Sequence, residues 1–284
     1  MKKMLTAALT ALFAAVLCMS AAAETELVVF AAASLTETLT KIGELYRKEN
    51  PDITLAFNFD SSGTLKTQIE EGADCDVFLS AGQKQMNELD ISADEEKNPD
   101  RLDFVKEDSR IDLLENKVAL VVPEDNPKKI ESFSQLADLL RDGEILMAMG
   151  NADVPVGQYT QKILEYYGLN EEELARAGKI TYGSNVKEVT VQVLEGSVDC
   201  GVVYCTDAFS AGLDVTDSAT AEMCGQVIYP AAVMKNSSDP EAAQAFLDYL
   251  GTDEAMDLFE EVGFSRIERE KETEGFTNTI RSNS

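Results

Sequence analysis

Apolar positions along the chain switch repeatedly between two spacings. Glu26–Ala31 is a short apolar run, after which Leu35, Leu39, Ile42 and Leu45 recur at helical spacing until Pro51 ends the pattern. The cycle repeats with Ile53–Phe59 as a strand, a short helix through Leu65 and Ile69 to Gly72, and Asp76–Ala81 as the next strand. Asp90–Arg110 is acidic and weakly patterned, and reads as a solvated excursion with a short strand near Phe104. Lys117–Pro123 is then a strongly apolar strand, Ser132–Leu140 a helix, Glu144–Met149 a strand and Gly157–Tyr167 a helix behind Pro155. Ile180–Tyr182, Asn185–Leu194 and Asp199–Tyr204 give strand, helix and strand again, Gln226–Lys235 is a long strand, and two amphipathic helices follow. From Ile267 onward the chain is polar and predicted to fray.

Strands alternating with helices predict an α/β chain with parallel sheets. The pattern falls into two blocks joined by two long strands, Lys117–Val122 and Gln226–Lys235. That arrangement predicts two lobes, residues 24–114 with 229–284 and residues 115–228, with a ligand cleft between them. Small-molecule sites favour such interfaces and the carboxyl ends of parallel strands.

The first 23 residues stand apart. Lys2 and Lys3 precede an apolar run from Met4 to Leu17, and Ala21-Ala22-Ala23 offers a cleavage site, the pattern of a secretory signal peptide. Cys18 raises lipid anchoring as the lesser alternative, because Leu17 stands where lipid attachment wants a small residue. The predicted location is exported, periplasmic or cell-surface associated. Without Lys2 and Lys3, 22 Lys and Arg remain against 52 Asp and Glu, a net charge of −30. Such a surface repels nucleic acid and anionic lipid. Histidine is absent, which removes His-based triads, His general bases and His metal sites. Cys75, Cys200, Cys205 and Cys224 allow three pairings, and spacing does not choose between bridges and free thiols.

One local device occurs four times. A strand hands over to a helix at Ser34, at Ser62, at Pro155-Val156-Gly157 and at Asn185-Val186, through small or neutral residues. Each helix start exposes unpaired N–H groups and about half a positive charge. Four converging starts would offset about two negative charges, enough for a dianion. Lys66 and Lys187 follow one turn or less downstream, but no cation lies in the turns themselves. Taken singly, each start reads as an ordinary cap: Ser34-x-x-Glu37 as a capping box, Asn185 as an N-cap, and Pro155 as a helix opener. Their joint occurrence makes the case for an anion. Tyr166-Tyr167 reads as core packing, and Glu171–Glu173 as a solvated helix start.

The stretches "VVFAAASLTETL", "FDSSGTLKTQIEEGADCDVFLSA", "VPVGQYTQKIL", "GSNVKEVTVQVLEGSVDCGVVYCTDA" and "YPAAV" resemble, in this order, the periplasmic molybdate-binding proteins of ABC importers. The likeness runs from about Leu27 to Phe264. It implies the two-lobed periplasmic-binding-protein, or flytrap, fold, an α/β class with a mainly parallel sheet in each lobe. It also implies no catalysis and no cofactor. The ligand would be molybdate, and tungstate with it, handed to the membrane permease by a monomer. By position, the resemblance assigns the hydroxyl and amide of Ser34 and Ser62, the amides of Val156 and Val186, and the phenol of Tyr204 to the oxyanion, so molybdenum would be bound only as its oxyanion. Asp60 stands where several relatives carry a neutral residue, and is expected to turn away and cap local backbone. The alternatives are the same fold holding sulfate, phosphate or another small oxyanion, and, more remotely, a secreted hydrolase.

Overall fold

A computed structural model describes residues 25–267. The expected signal peptide, Cys18 and the tail beyond Ile267 lie outside the described residues. The first lobe opens with β1 (Thr25–Ala32), a 3-10 turn (Ala33–Leu35) and α1 (Thr36–Glu49). It continues through β2 (Ile53–Asp60), α2 (Ser62–Glu70), β3 (Val77–Leu79), α3 (Gln83–Leu89) and β4 (Ile111–Asn116). The chain then enters the second lobe with β5 (Val118–Val121), α4 (Phe133–Asp142), β6 (Met147–Gly150), α5 (Pro155–Tyr166) and α6 (Glu171–Arg176). There follow β7 (Ile180–Gly183), α7 (Val186–Leu194), β8 (Cys200–Tyr204), α8 (Cys205–Ala211), β9 (Val215–Ser218) and α9 (Ala221–Cys224). It returns with β10 (Val227–Val233), α10 (Pro240–Leu250), α11 (Asp253–Glu261) and β11 (Ser265–Arg266).

Two sheets result, ordered β11-β4-β10-β3-β1-β2 and β7-β6-β8-β5-β9. They are mixed, a correction to the mainly parallel sheets expected within this α/β fold. Pairing is parallel for β1 with β2 and β3, and for β6 with β7 and β8. The strands that carry the chain between lobes run against their neighbours: β10 is antiparallel to β3 and β4, and β5 to β8 and β9. A crossing strand enters from the far end of the sheet, so it reverses the local direction.

The burial pattern follows the pleat. Leu27, Val29 and Ala31 of β1 pack into the main core, while Phe30 joins Phe78, Leu65 and Ala232 on the opposite face. Each leucine, valine or phenylalanine so removed from water contributes roughly 1.5–3 kcal/mol, and each alanine less. On α1 the buried stripe is Leu39, Ile42 and Tyr46, and Leu45 is only half-buried. Tyr46 replaces it because its ring meets Phe246 and Tyr249 of α10 at 5.1 and 5.0 Å.

The acidic stretch is largely solvent-exposed, as expected, but it is pinned at a few buried points. The buried Asn98 amide donates to the carbonyls of Asp90 and Leu102 at 3.0 and 2.8 Å. Arg110 pairs with Asp90 at 2.9 Å, and Val105 bridges Met234 beside β10. The next residues form β4, which the sequence pattern did not reveal. The predicted strand at Lys117–Val122 is the shorter β5, separated from β4 by Lys117 alone. At that junction the Lys117 amide donates to Asn116 Oδ1 at 2.8 Å. Tyr166 is exposed, against the core packing expected of it, whereas Tyr167 packs against the main core.

Candidate functional site

Register brings the turns together. In β1 and β2, Ala32 sits opposite Asp60, so the parallel strands end level and deliver Ser34 and Ser62 to one edge. In β6 and β7, Gly150 sits opposite Gly183, which delivers Pro155 and Asn185 to one edge of the second sheet. Strand β8, parallel to β6, ends there at Tyr204. Ser34, Ser62, Val156, Val186 and Tyr204 all line one small cavity of about 10 Å³ between the lobes, space for about one water. Its other walls include Ala81 and Val154, and no charged side chain lines it. A wider groove beside it, lined by Gln83, Lys84, Gln158 and Lys162, is open to solvent and holds none of the five.

The local chemistry differs from simple capping. The capping box expected at Ser34 does not form: the cap residue of α1 is Leu35, with no side-chain bond, behind a 3-10 turn. Ser34 Oγ instead lies 3.0 Å from Tyr229 Oη, and Glu37 reaches across to Lys187 at 2.8 Å. In the second turn Ser61 is the cap, accepting from the Thr64 amide at 3.1 Å. Ser62 is thereby released, and its Oγ accepts from the Ala81 amide at 2.9 Å. The serine proton is then free to donate into the cavity. Val156 and Val186 are the second and first residues of α5 and α7, whose opening N–H groups have no carbonyl inside the helix. Asn185 caps α7 as expected, accepting from the Glu188 amide at 3.1 Å. Tyr204 Oη donates to the Ala81 carbonyl across the lobes at 3.3 Å. Burial holds the phenols of Tyr204 and Tyr229 well above the usual tyrosine range, so both stay protonated.

Cations near the turns are already neutralised. Lys66 pairs with Glu70 and Glu88 at 2.9 and 3.2 Å. Lys187 pairs with Glu37 of the first lobe and with Asp207 of the second, the latter at 3.4 Å. Asp207 is fully buried, and neither of its oxygens has an aligned hydrogen-bond donor. Burial pushes its carboxyl up to about 6, opposed by Lys187. Asp60 accepts from its neighbour's amide, that of Ser61, at 2.7 Å, and faces Asn185 Nδ2 at 3.5 Å. It does not line the cavity. Cys75, Cys200, Cys205 and Cys224 are free thiols. Among the described residues no group of three or more His, Cys, Asp or Glu is placed to hold a metal ion.

Sequence reasoning missed the residues behind this first layer. Tyr229, fully buried on β10, lies within "YPAAV", where only a large polar-tipped residue in an apolar run hinted at it. Asn116 ends β4 and donates to Tyr229 Oη at 3.2 Å and to Thr206 Oγ1 at 2.9 Å. Gly63, the residue after Ser62, carries no signal of its own in the sequence. A Cβ there would lie 2.1 Å from the Asp153 carbonyl oxygen of the other lobe, so glycine permits the lobes to touch.

A profile of bacterial extracellular solute-binding proteins matches residues 27–265. YvgL of Bacillus subtilis, provisionally named an ABC transporter substrate-binding lipoprotein, is 35% identical over 267 residues, covering 91% of this chain and 96% of that one. The molybdate-binding protein ModA of Haemophilus influenzae is 32% identical over 270 residues, covering 93% and 99%. The periplasmic molybdate-binding protein of Azotobacter vinelandii superposes with a TM-score of 0.70 at 22% identity, covering 85% of this chain and all of that one. A sulfate-binding protein and a phosphate-bound one share the fold as well. Among the described residues no helix is long and apolar enough to cross a membrane. With the two-sheet architecture and matching residues across nearly the whole described chain, this protein belongs to the bacterial extracellular solute-binding protein family.

Proposed function

We propose that the protein captures molybdate, and tungstate with it, outside the cytoplasmic membrane and presents it to an ABC permease. The oxyanion would be held by the hydroxyls and amides of Ser34 and Ser62, the amides of Val156 and Val186, and the phenol of Tyr204. The observation that carries this reading is the convergence of all five on one cavity with no charged wall. Helix starts and neutral hydroxyls supply donors and about half a positive charge each, which suits a dehydrated dianion. No covalent chemistry is involved. The signal-peptide pattern supports export, with Cys18 as an alternative anchor.

Selection against hydrogen phosphate follows from a shell that only donates, which leaves an O–H on the ligand without an acceptor. Asp60 accepts from the Ser61 amide and does not line the cavity, which supports that selection. Sulfate presents the same donors with a smaller ligand, so cavity size would decide between them. A second reading, the same fold holding sulfate or phosphate, draws on the structural neighbours that bind those anions. Titration calorimetry with molybdate, tungstate, sulfate and phosphate separates the readings. Molybdate and tungstate should bind tightest. No heat with molybdate, or tighter binding of sulfate or phosphate, would overturn the assignment.

A further inference from the structure

Behind Ser34 lies a chain of buried hydrogen bonds that belongs to neither lobe alone. Asn116 ends β4 at the crossing into the second lobe, Tyr229 lies on the returning strand β10, and Thr206 is the second residue of α8. Asn116, Thr206 and Tyr229 are at most 3% exposed. The direction of the bonds can be worked out. The Lys117 amide donates to the Asn116 side chain at 2.8 Å, which fixes that end as the oxygen. The amide nitrogen then donates one hydrogen to Thr206 Oγ1 at 2.9 Å and the other to Tyr229 Oη at 3.2 Å. Tyr229 therefore accepts from Asn116 and has its own proton to place. Its neighbours are Ser34 Oγ at 3.0 Å and the phenol of Tyr204. The Tyr204 phenol donates to the Ala81 carbonyl; when Ser34 and Tyr204 both turn their protons to an anion, the Tyr229 proton must be accepted by one of them, and Ser34 Oγ lies at 3.0 Å. The ring cannot swing to seek another acceptor, because Tyr204 and Phe264 hold it edge-on at 5.6 and 5.2 Å.

We propose that Tyr229 and Asn116 are positioning residues that turn the Ser34 hydroxyl into a committed donor to the bound oxyanion. This rests on the oxyanion-binding reading above. Tyr229 occupies the direction in which the Ser34 proton would otherwise point, so the proton faces the cavity that Ser34 lines. Ser62 reaches the same state through the Ala81 amide. The two serines are thus held as donors to the bound ligand, and a ligand that itself brings an O–H meets two matching protons. Specificity for a fully deprotonated oxyanion is in this way built by residues that never touch it.

A double-mutant cycle on the full mature chain tests this. Calorimetric affinities for molybdate and for phosphate are measured for the unmutated protein, Tyr229→Phe, Ser34→Ala and the double variant. Tyr229→Phe should weaken molybdate binding by roughly threefold to tenfold, the worth of one hydrogen bond. It should narrow the preference for molybdate over phosphate, since Ser34 regains the freedom to accept. In the Ser34→Ala background the same change should alter affinity less than about twofold, because coupling requires the shared hydroxyl. Equal losses in both backgrounds would reduce Tyr229 to a packing residue and overturn the proposal, as would unchanged affinity and preference. Asn116→Asp provides a second arm if Tyr229→Phe does not fold. It keeps the acceptor for Lys117 but draws the Tyr229 proton away from Ser34, so it should weaken molybdate binding only where Ser34 is present. If the unmutated protein binds none of these oxyanions, the functional reading falls and this proposal with it; if it binds and the cycle shows no coupling, only the positioning role falls.

Discussion

Gly63→Ala should disable ligand capture while leaving the protein folded. Gly63 is the second residue of α2, one position beyond Ser62, and faces the loop between β6 and α5 of the other lobe. An added Cβ would lie 2.1 Å from the Asp153 carbonyl oxygen and 2.9 Å from both the Asp153 carbonyl carbon and its Cβ. The nearest two of these atoms are backbone, so no rotamer change relieves the contact. Bringing the carbon to an ordinary separation needs the lobes to part by about 1 Å, since packed interiors do not compress. Hydrogen bonds lose most of their strength over that distance. Val156 and Val186 stand on the lobe that would be pushed back, and each amide given up to a charged ligand costs about 1.5–3 kcal/mol. Losing both weakens binding by at least about 3 kcal/mol, roughly a hundredfold. The substitution is otherwise mild, because alanine favours a helix over glycine by about 1 kcal/mol. Calorimetry with molybdate and thermal denaturation of the ligand-free variant measure the two effects separately. Unchanged affinity would refute the claim that this cross-lobe contact accompanies binding. Lost affinity with a collapsed melting temperature would show that Gly63 serves folding instead.

Three further outcomes follow from the same geometry. Ser62→Ala should cost about 1.5–3 kcal/mol of oxyanion affinity, since a charged ligand loses one donor, and calorimetry showing no change removes Ser62 from the site. Asp207→Asn should stabilise the fold in a pH-dependent way: the native carboxyl, pushed up to about 6, holds its proton more tightly than the unfolded chain, so its cost is absent below about pH 4, grows between about 4 and 6, and then stays near 3 kcal/mol. Denaturant titrations of both proteins at pH 4 and pH 7.5 check this, and an equal difference at the two values refutes it. Glu37→Gln removes the cross-lobe partner of Lys187, half-exposed and 2.8 Å away. It should weaken binding by no more than about fivefold, with the effect fading as salt is added, and calorimetry at two ionic strengths reads both.

The sequence by itself determined the alternation of strand and helix, the crossing at Lys117 and the return at Gln226, and the four helix starts, because each depends on neighbours within one turn or one strand. Leu39 and Ile42 announce a helix by spacing, Pro51 ends it, and Ser34 and Ser62 mark turns by their small, uncharged company. Reading failed where local pattern and final partner disagree. Strand β4 is preceded by an acidic segment whose order comes from Asn98 and the Arg110–Asp90 pair, contacts that no periodicity encodes. Helix α3 was missed, as were α8 and β9, because each is short and takes its support from neighbouring elements. Only the tertiary structure decided what the serines do. Ser34 satisfies the local grammar of a capping box, yet its hydroxyl goes to a tyrosine 195 positions away, because the register of β1 against its neighbours brings that phenol within 3.0 Å. The cap at Ser61, the touch of Gly63 on Asp153 and the burial of Asp207 have the same origin. A hydrogen bond or a steric contact is set by distance in space, and sequence spacing reports that distance only while the chain stays within a single element.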